Sequence, residues 1–408
     1  MPDSRLFASA DVLPLGELSW GDLPREGSLE AAMERLVGDG RVDSAFLHDP
    51  RRSLPLTPHG TRRGVDVFGP GVSPEMTDDA LGQTTTREVA SVFLHDARFV
   101  GSSMSIIDQR GRVFRDGLDN IGTPQRLADF DPHYRLQDER LHLNDDFDAR
   151  AVRLDCLAMP VCGVGFPNYG HFLYDGLPAA VLFRQMFPRA RIRLVGQELR
   201  EWQRQILAAL DLLDGYVSVT APIIFRRMIA STMLSMHVSY PTAFARPLFD
   251  GLRFRLGIPR TDRPRLIMLS RAGDVGRRWL RNREAVERRV ADLGFTIVRP
   301  EHLSFLEQVA LMSSAELVVG ESGAAMANIG FCPPGARVLE IQPERFVENW
   351  TRGMCFHFGH RWSVYLGRVD SAMIPDAAGQ ATDPNQVFSY EVDPDDLADA
   401  VTTLLAQP

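Results

Sequence analysis

Lysine is absent, and all 45 basic residues are Arg. That excludes every chemistry that needs a lysine amine, from Schiff bases and pyridoxal phosphate anchoring to the Walker A lysine. Cysteine is scarce. Cys156, Cys162, Cys332 and Cys355 are too few and too scattered for a disulfide framework and form no C-x-x-C pair, so free thiols in a reducing compartment are expected. Long apolar runs are also missing: no window approaches the roughly 18 residues of a membrane span. The first twenty residues, MPDSRLFASADVLPLGELSW, have no basic stretch leading into an apolar segment, so a cytoplasmic protein is the expectation. Positive charge is in deficit. The 53 acidic residues leave a net charge of −8, which argues against nucleic acid or an anionic membrane as partner. An anionic ligand would need a local Arg cluster. What remains is an ordinary globular composition, 44% hydrophobic and 24% charged over 408 residues, with apolar mass for two or three packed units. Abundant Arg, Ala, Gly and Pro without Lys is the composition of a GC-rich bacterial genome.

Residues 1–85 are rich in Pro, Gly, Asp and Arg, with one helical stretch near Ser28 to Val37, and read as an irregular extension. Short β-prone runs from Glu88 to Phe114, with a turn at Gln109-Arg110-Gly111, predict a small meander. From Val152 strands and helices alternate: RLDCLAM, then one helix over YGHFLYDGLPAAVLFRQMF, RIRLV, a helix from Glu201 to Leu213, then YVSVT and IASTML. A helix near Phe244 to Leu256 links to a second alternating set. This set comprises RLIMLS, a helix from Arg283 to Leu293, FTIVRP, a helix from Phe305 to Ser314, ELVVG, a Gly-led helix from Ala324, and RVLEI. The fold class expected is α/β, with two Rossmann-like domains facing a cleft behind a small N-terminal β meander and an irregular extension. The boundaries are 1–85 for the extension, 86–257 for an acceptor-side domain including the meander, and 258–408 for a nucleotide-sugar domain with a C-terminal helix. Ligands of such sheets sit beyond the carboxyl ends of the strands.

Three segments carry candidate chemistry. In VVGESGAAMANIG a buried-type strand runs through Gly320, Glu321, Ser322, Gly323 and Ala324 into a helix, offering backbone N–H groups and a dipole end to an anion such as a diphosphate. The same glycines also serve a plain tight βα turn. In LSRAGDVGRRWLRNRE, Ser270 and Arg271 follow a strand, where a guanidinium fork can hold two phosphate oxygens. Arg277, Arg278 and Arg281 add positive charge there, or form a solvated face. Asn282 and Glu284 read equally as ligands or as an N-cap with a first-turn acid. In NYGHFLYDGLP, His171 and Asp175 are four apart and share a helical face, where an imidazole can take a proton and a carboxylate can orient it or act itself. A satisfied structural histidine is the alternative.

Rival signals are weaker. Gly163-Val164-Gly165-Phe166-Pro167-Asn168 is a broken dinucleotide fingerprint with a Pro in the turn, which argues against a dehydrogenase. Asp146-Phe147-Asp148 reads as a surface loop. Cys355, His357 and His360 lie in a strand-like stretch where His360 alternates away from the other two, so no metal site is expected. Ser304-Phe305-Leu306-Glu307 reads first as a capping box.

The segments NYGHFLYDGLP, LSRAGDVGRRWLRNRE, LSFLEQVALMSSAELVVG and GESGAAMANIGFCPPGARVLEI, in this order and spacing, resemble the family 61 glycosyltransferases. The likeness spans about Cys156 to Ile341. It implies a GT-B enzyme that transfers a sugar from a nucleotide diphosphate donor with inversion and no required metal or other cofactor, a uridine diphosphate sugar being the expected donor. The acceptor is expected to be a glycan or glycosylated small molecule, as in bacterial polysaccharide synthesis. It assigns donor contacts to Ser270 and Arg271, to the turn from Gly320 to Asn328 and to the loop His302 to Ser304, with Arg277 and Asn282 added from the Arg-rich segment; His171 and Asp175 are the candidate base. One departure stands out: the family's usual His within Gly-x-His-Gly-Ala is Ser322 here, beside Glu321. The alternative function is a degenerate member that binds a nucleotide sugar or glycan without turnover.

Overall fold

The computed structural model describes residues 14–38, 42–49, 53–54, 66–70, 84–85, 88–118, 121, 123–144, 146–235, 243–258, 263–271, 278–344, 347–369 and 388–407. Runs of buried apolar residues too long for one exposed face dictate central parallel strands. Leu317–Glu321 is buried at all five positions and Arg337–Pro343 at six of seven. They anchor a six-stranded, all-parallel sheet in the order Thr296–Val298, Leu266–Leu269, Leu317–Glu321, Arg337–Pro343, Arg361–Gly367, Val67–Phe68. Taking its five C-terminal strands in chain order gives 2-1-3-4-5, and the reversal of strand order falls between Leu266–Leu269 and Leu317–Glu321. The helix Arg283–Ala291 buries Val286 and Val290 against this sheet, as their spacing requires, with Leu293 packed beside them.

The first sheet has eleven strands. Tyr216–Ser218, Ile192–Gly196, Val152–Pro160 and Ile223–Ser231 run parallel, and the last pairs antiparallel with Val89–Val100. That twelve-residue strand continues into Ser105–Ile107 and Arg112–Phe114, the expected meander. The chain is mixed α/β. It divides into two compact units, Met1–Arg52 with Arg87–Val238, and Ser53–Thr86 with Ser239–Pro408.

Several local expectations are corrected. Strands Pro14–Leu18 and Ser44–Asp49 from the supposedly irregular N-terminal stretch pair into the first sheet, and Val67–Phe68 into the second, because strand pairing depends on the neighbouring strand more than on a segment's own sequence pattern. The helix expected at Ser28 to Val37 is Leu29–Val37, capped by Ser28. The single helix over residues 169–187 is two, Tyr169–Tyr174 and Leu177–Met186. Gly176 between them has φ 92° and lies so close to Leu234 and Val161 that a Cβ would clash, so the break is imposed by packing and backbone conformation together. The segment Ala324–Phe331 is a 3-10 helix rather than an α-helix. Its end is gripped by aromatic contacts of Phe331 with Phe249 and Phe305. Cys355 and His357 lie on the α-helix Trp350–Phe358, not a strand; Gly359 in the left-handed region ends it before His360.

Candidate active site

In the first unit, Val152–Pro160 leads through Val161 and Cys162 into the turn Gly163 to Asn168 and then into helix Tyr169–Tyr174. Asn168 caps this helix by accepting from the N–H groups of Gly170 (2.9 Å) and His171 (3.3 Å). One turn on, His171 Nδ1 and Asp175 Oδ2 are 2.7 Å apart. Asp175 is buried at 1% exposure while the His171 side chain keeps 22%, so the carboxylate is held in protein and the ring reaches the surface. This arrangement fixes the orientation of the ring through Nδ1.

The glycines of the rejected dinucleotide fingerprint turn out to build this seat. A Cβ at Gly163 would stand 2.8 Å from Gly117 Cα and 2.9 Å from the Leu234 carbonyl oxygen. One at Gly165 would stand 2.6 Å from His171 Cβ and 2.8 Å from its Cδ2. Only glycine lets the turn lie flat against the imidazole. The pattern Gly-x-Gly was visible in the sequence, but its target was a side chain six residues on, not a cofactor.

In the second unit, Ser270 and Arg271 leave the strand Leu266–Leu269, and Ser322 and Gly323 leave Leu317–Glu321. These are the neighbouring strands at the reversal of order, the place where open α/β sheets hold ligands. Arg271 Nη2 donates to the Ser322 carbonyl, and its guanidinium occupies the space a Cβ at residue 323 would need. Arg271, Ser322, Gly323 and Ala324 are all partly exposed. Glu321, the acid that the sequence sets beside this turn, is buried and paired with Arg283, Nε to Oε1 at 2.9 Å. Its charge is therefore compensated inside the protein, by a residue the sequence reading passed over.

The other candidates have structural partners. Ser270 is fully buried and its hydroxyl donates to Glu287, which also takes Arg299 at 2.8 Å. Asn282 neither caps its helix nor faces the turn; its amide donates to the Val392 carbonyl at 2.7 Å. Asn328, buried, donates to Gln308 at 3.0 Å, and Gln308 in turn donates to the carbonyls of Pro300 and Leu303. Ser304 and Glu307 form the expected capping box, and the bonds from Ser304 hold the Glu307 carboxyl below its usual range. His302 is exposed and lines an open groove of about 640 Å³ with Arg263, Val298, Arg299, Leu306 and Leu311. The Ser270 N–H bonds the Val298 carbonyl at 2.8 Å, so this groove borders the Arg271 turn. Arg277 lies outside the described residues.

Residues 169–339 match the Glycosyltransferase 61 family model, a span that contains every one of these candidates. This chain carries a family 61 glycosyltransferase domain. The activity class is that of a glycosyltransferase. No curated protein matches the chain. Among solved structures it is similar to a dodecameric iron-containing heptosyltransferase, TibC, in complex with ADP-D-β-D-heptose, at 12% identity and TM-score 0.34, over 78% of this chain and 93% of that one. TibC from enterotoxigenic E. coli H10407 gives 12% identity and TM-score 0.29, over 69% and 83%. Among the described residues, no helix is long and apolar enough to cross a membrane.

Proposed function

We propose that this glycosyltransferase moves a sugar with inversion, and without a required metal, from a nucleotide diphosphate sugar to a hydroxyl of a glycan or glycosylated small molecule. The observation that carries the reading is the guanidinium of Arg271 seated on the Ser322-Gly323 turn at the strand reversal of the second sheet. A diphosphate bound there would meet a fixed cation and small side chains, and the same cation would absorb the charge that develops as the nucleotide departs. The bordering groove, with apolar walls and His302, Arg263 and Arg299, suits the nucleoside.

In the attacking step the acceptor oxygen forms a bond to the anomeric carbon while the bond to the diphosphate oxygen breaks. His171 Nε2 takes the hydroxyl proton, and Asp175 stabilises the imidazolium. In this scheme the second unit serves the donor and the first the acceptor, the division of labour of a GT-B enzyme with two Rossmann-like domains. Four unpaired cysteines suit a cytoplasmic setting for it.

The binding-only alternative arises from Ser322 and Glu321. It is weakened by the pairing of Glu321 with Arg283 and by Arg271, which supply the turn with a cation despite the missing histidine. A thermal-shift titration tests the donor site, since a ligand that binds only the folded state raises the melting temperature by mass action. Uridine diphosphate, alone or carrying a sugar, is expected to stabilise the protein with EDTA present. No shift with any nucleoside diphosphate, or a shift that EDTA abolishes, would overturn the metal-free donor site.

A further inference from the structure

Ser322 stands between two opposite charges. Its carbonyl accepts from Arg271, and its hydroxyl donates to Glu348 Oε2 at 3.2 Å. Glu348 lies beyond the matched span of residues 169–339 and no sequence motif points to it. It is nonetheless held firmly. The side chain of Gln342, fully buried on the strand Arg337–Pro343, clasps its backbone in both directions: Gln342 Nε2 donates to the Glu348 carbonyl at 2.8 Å, and the Glu348 N–H donates to Gln342 Oε1 at 2.7 Å. Adjacent buried strands therefore fix both Ser322 and the backbone from which this carboxylate projects.

A carboxylate is an unsuitable neighbour for phosphate, because the two repel and neither donates a hydrogen bond at neutral pH. It is a good acceptor for hydroxyl groups. A nucleotide diphosphate sugar has the matching division: an anionic diphosphate joined to a neutral polyol. With the cation of Arg271 on one side of Ser322 and the carboxylate of Glu348 on the other, the turn presents complementary groups to the two parts of such a donor.

We propose that Glu348 is a specificity residue for the donor sugar, accepting hydrogen bonds from the hydroxyls of a neutral sugar and discriminating against donors whose sugar carries a carboxylate. The inference rests on the donor site proposed above. Like-charge contact in a partly buried site supplies the rejection, and the Gln342 clasp fixes the backbone from which the Glu348 side chain projects.

The test compares wild type with Glu348→Gln, titrating UDP, UDP-glucose and UDP-glucuronate by calorimetry with EDTA present, and records the melting temperature of each protein. The amide keeps the size of the side chain and one acceptor but removes the charge. Wild type is expected to prefer UDP-glucose. The variant should narrow that preference roughly tenfold or more, mainly by gaining affinity for UDP-glucuronate, while UDP itself changes less than about threefold. UDP binding with an unaltered glucose-to-glucuronate ratio would overturn the assignment of Glu348 alone. So would an equal loss for all three ligands with a lowered melting temperature, the mark of a structural role. Failure of the wild type to bind UDP would overturn both this assignment and the donor site beneath it.

Discussion

At the scale of single residues, the two clusters make separable demands. Arg271 joins two strand ends through one side chain, so Arg271→Ala removes its bond to the Ser322 carbonyl and, in the proposed donor site, a charge-assisted bond to diphosphate. The expected loss of nucleoside diphosphate affinity is about 1.5–3 kcal/mol by calorimetry, with the fold retained. Arg271→Lys should recover only part, since an ammonium lacks the planar fork. In the other cluster, His171→Ala should lower transfer roughly a hundredfold with donor affinity unchanged. Asp175→Asn should cost less, because an orienting carboxylate contributes less than the base it orients; the opposite ranking in kcat would make Asp175 the base. The 1% exposure of Asp175 predicts that its variant also loses some thermal stability, so melting temperatures belong beside the rates.

At the scale of elements, buried charge is what ties the turn to its support. Glu321 ends the strand Leu317–Glu321 and Arg283 begins the helix Arg283–Ala291, and their side chains are 1% and 8% exposed. Removing Glu321 takes from the buried Arg283 its carboxylate partner. Glu321→Ala is therefore expected to destabilise the protein by about 3–5 kcal/mol in chemical denaturation. A change under about 1 kcal/mol would show that Arg283 finds water or another acceptor. The same pair explains how an acid can adjoin the proposed site for anions: the pair is neutral, and the partly exposed turn presents Arg271.

At the scale of the whole molecule, one buried carboxyl predicts a pH dependence of stability. Glu340 is fully buried in the strand Arg337–Pro343, accepting from Thr351 and Trp362 at 2.9 Å each. Burial raises its pKa from 4.5 to about 7. The folded state thus keeps this proton where the unfolded chain has released it. Its contribution to stability is complete below pH 4.5, declines as pH rises, and is lost above about 7, a swing on the order of 3 kcal/mol. Glu340→Gln should flatten this decline, with the amide oxygen toward Trp362 and the amide N–H toward the Thr351 hydroxyl. Urea unfolding at pH 5 and pH 8 measures it; an equal slope in both proteins would remove Glu340 from the account.

Contacts that span a turn were legible in the sequence, and contacts that span a sheet were not. The i, i+4 spacing of His171 and Asp175 is a property of any helix, and the capping box of Ser304 and Glu307 needs only one turn; both formed as their spacing requires. Buried runs such as LVVGE and RVLEI declared parallel strands, and four segments in their order and spacing pointed to the family domain. By contrast, Arg283 meets Glu321 across 38 residues, Ser322 meets Glu348 across 26, and Ser270 turns inward to Glu287 across 17. Strand order and register decide these meetings, and neither is written in local periodicity. The glycine seat beneath His171 and the pairing of Pro14–Leu18 into the first sheet belong to the same class. The sequence by itself determined which residue types sit at the ends of which strands. Only the tertiary structure decided which of them face the turn and which are consumed inside, because a side chain's role there depends on neighbours brought close by sheet packing rather than by the chain.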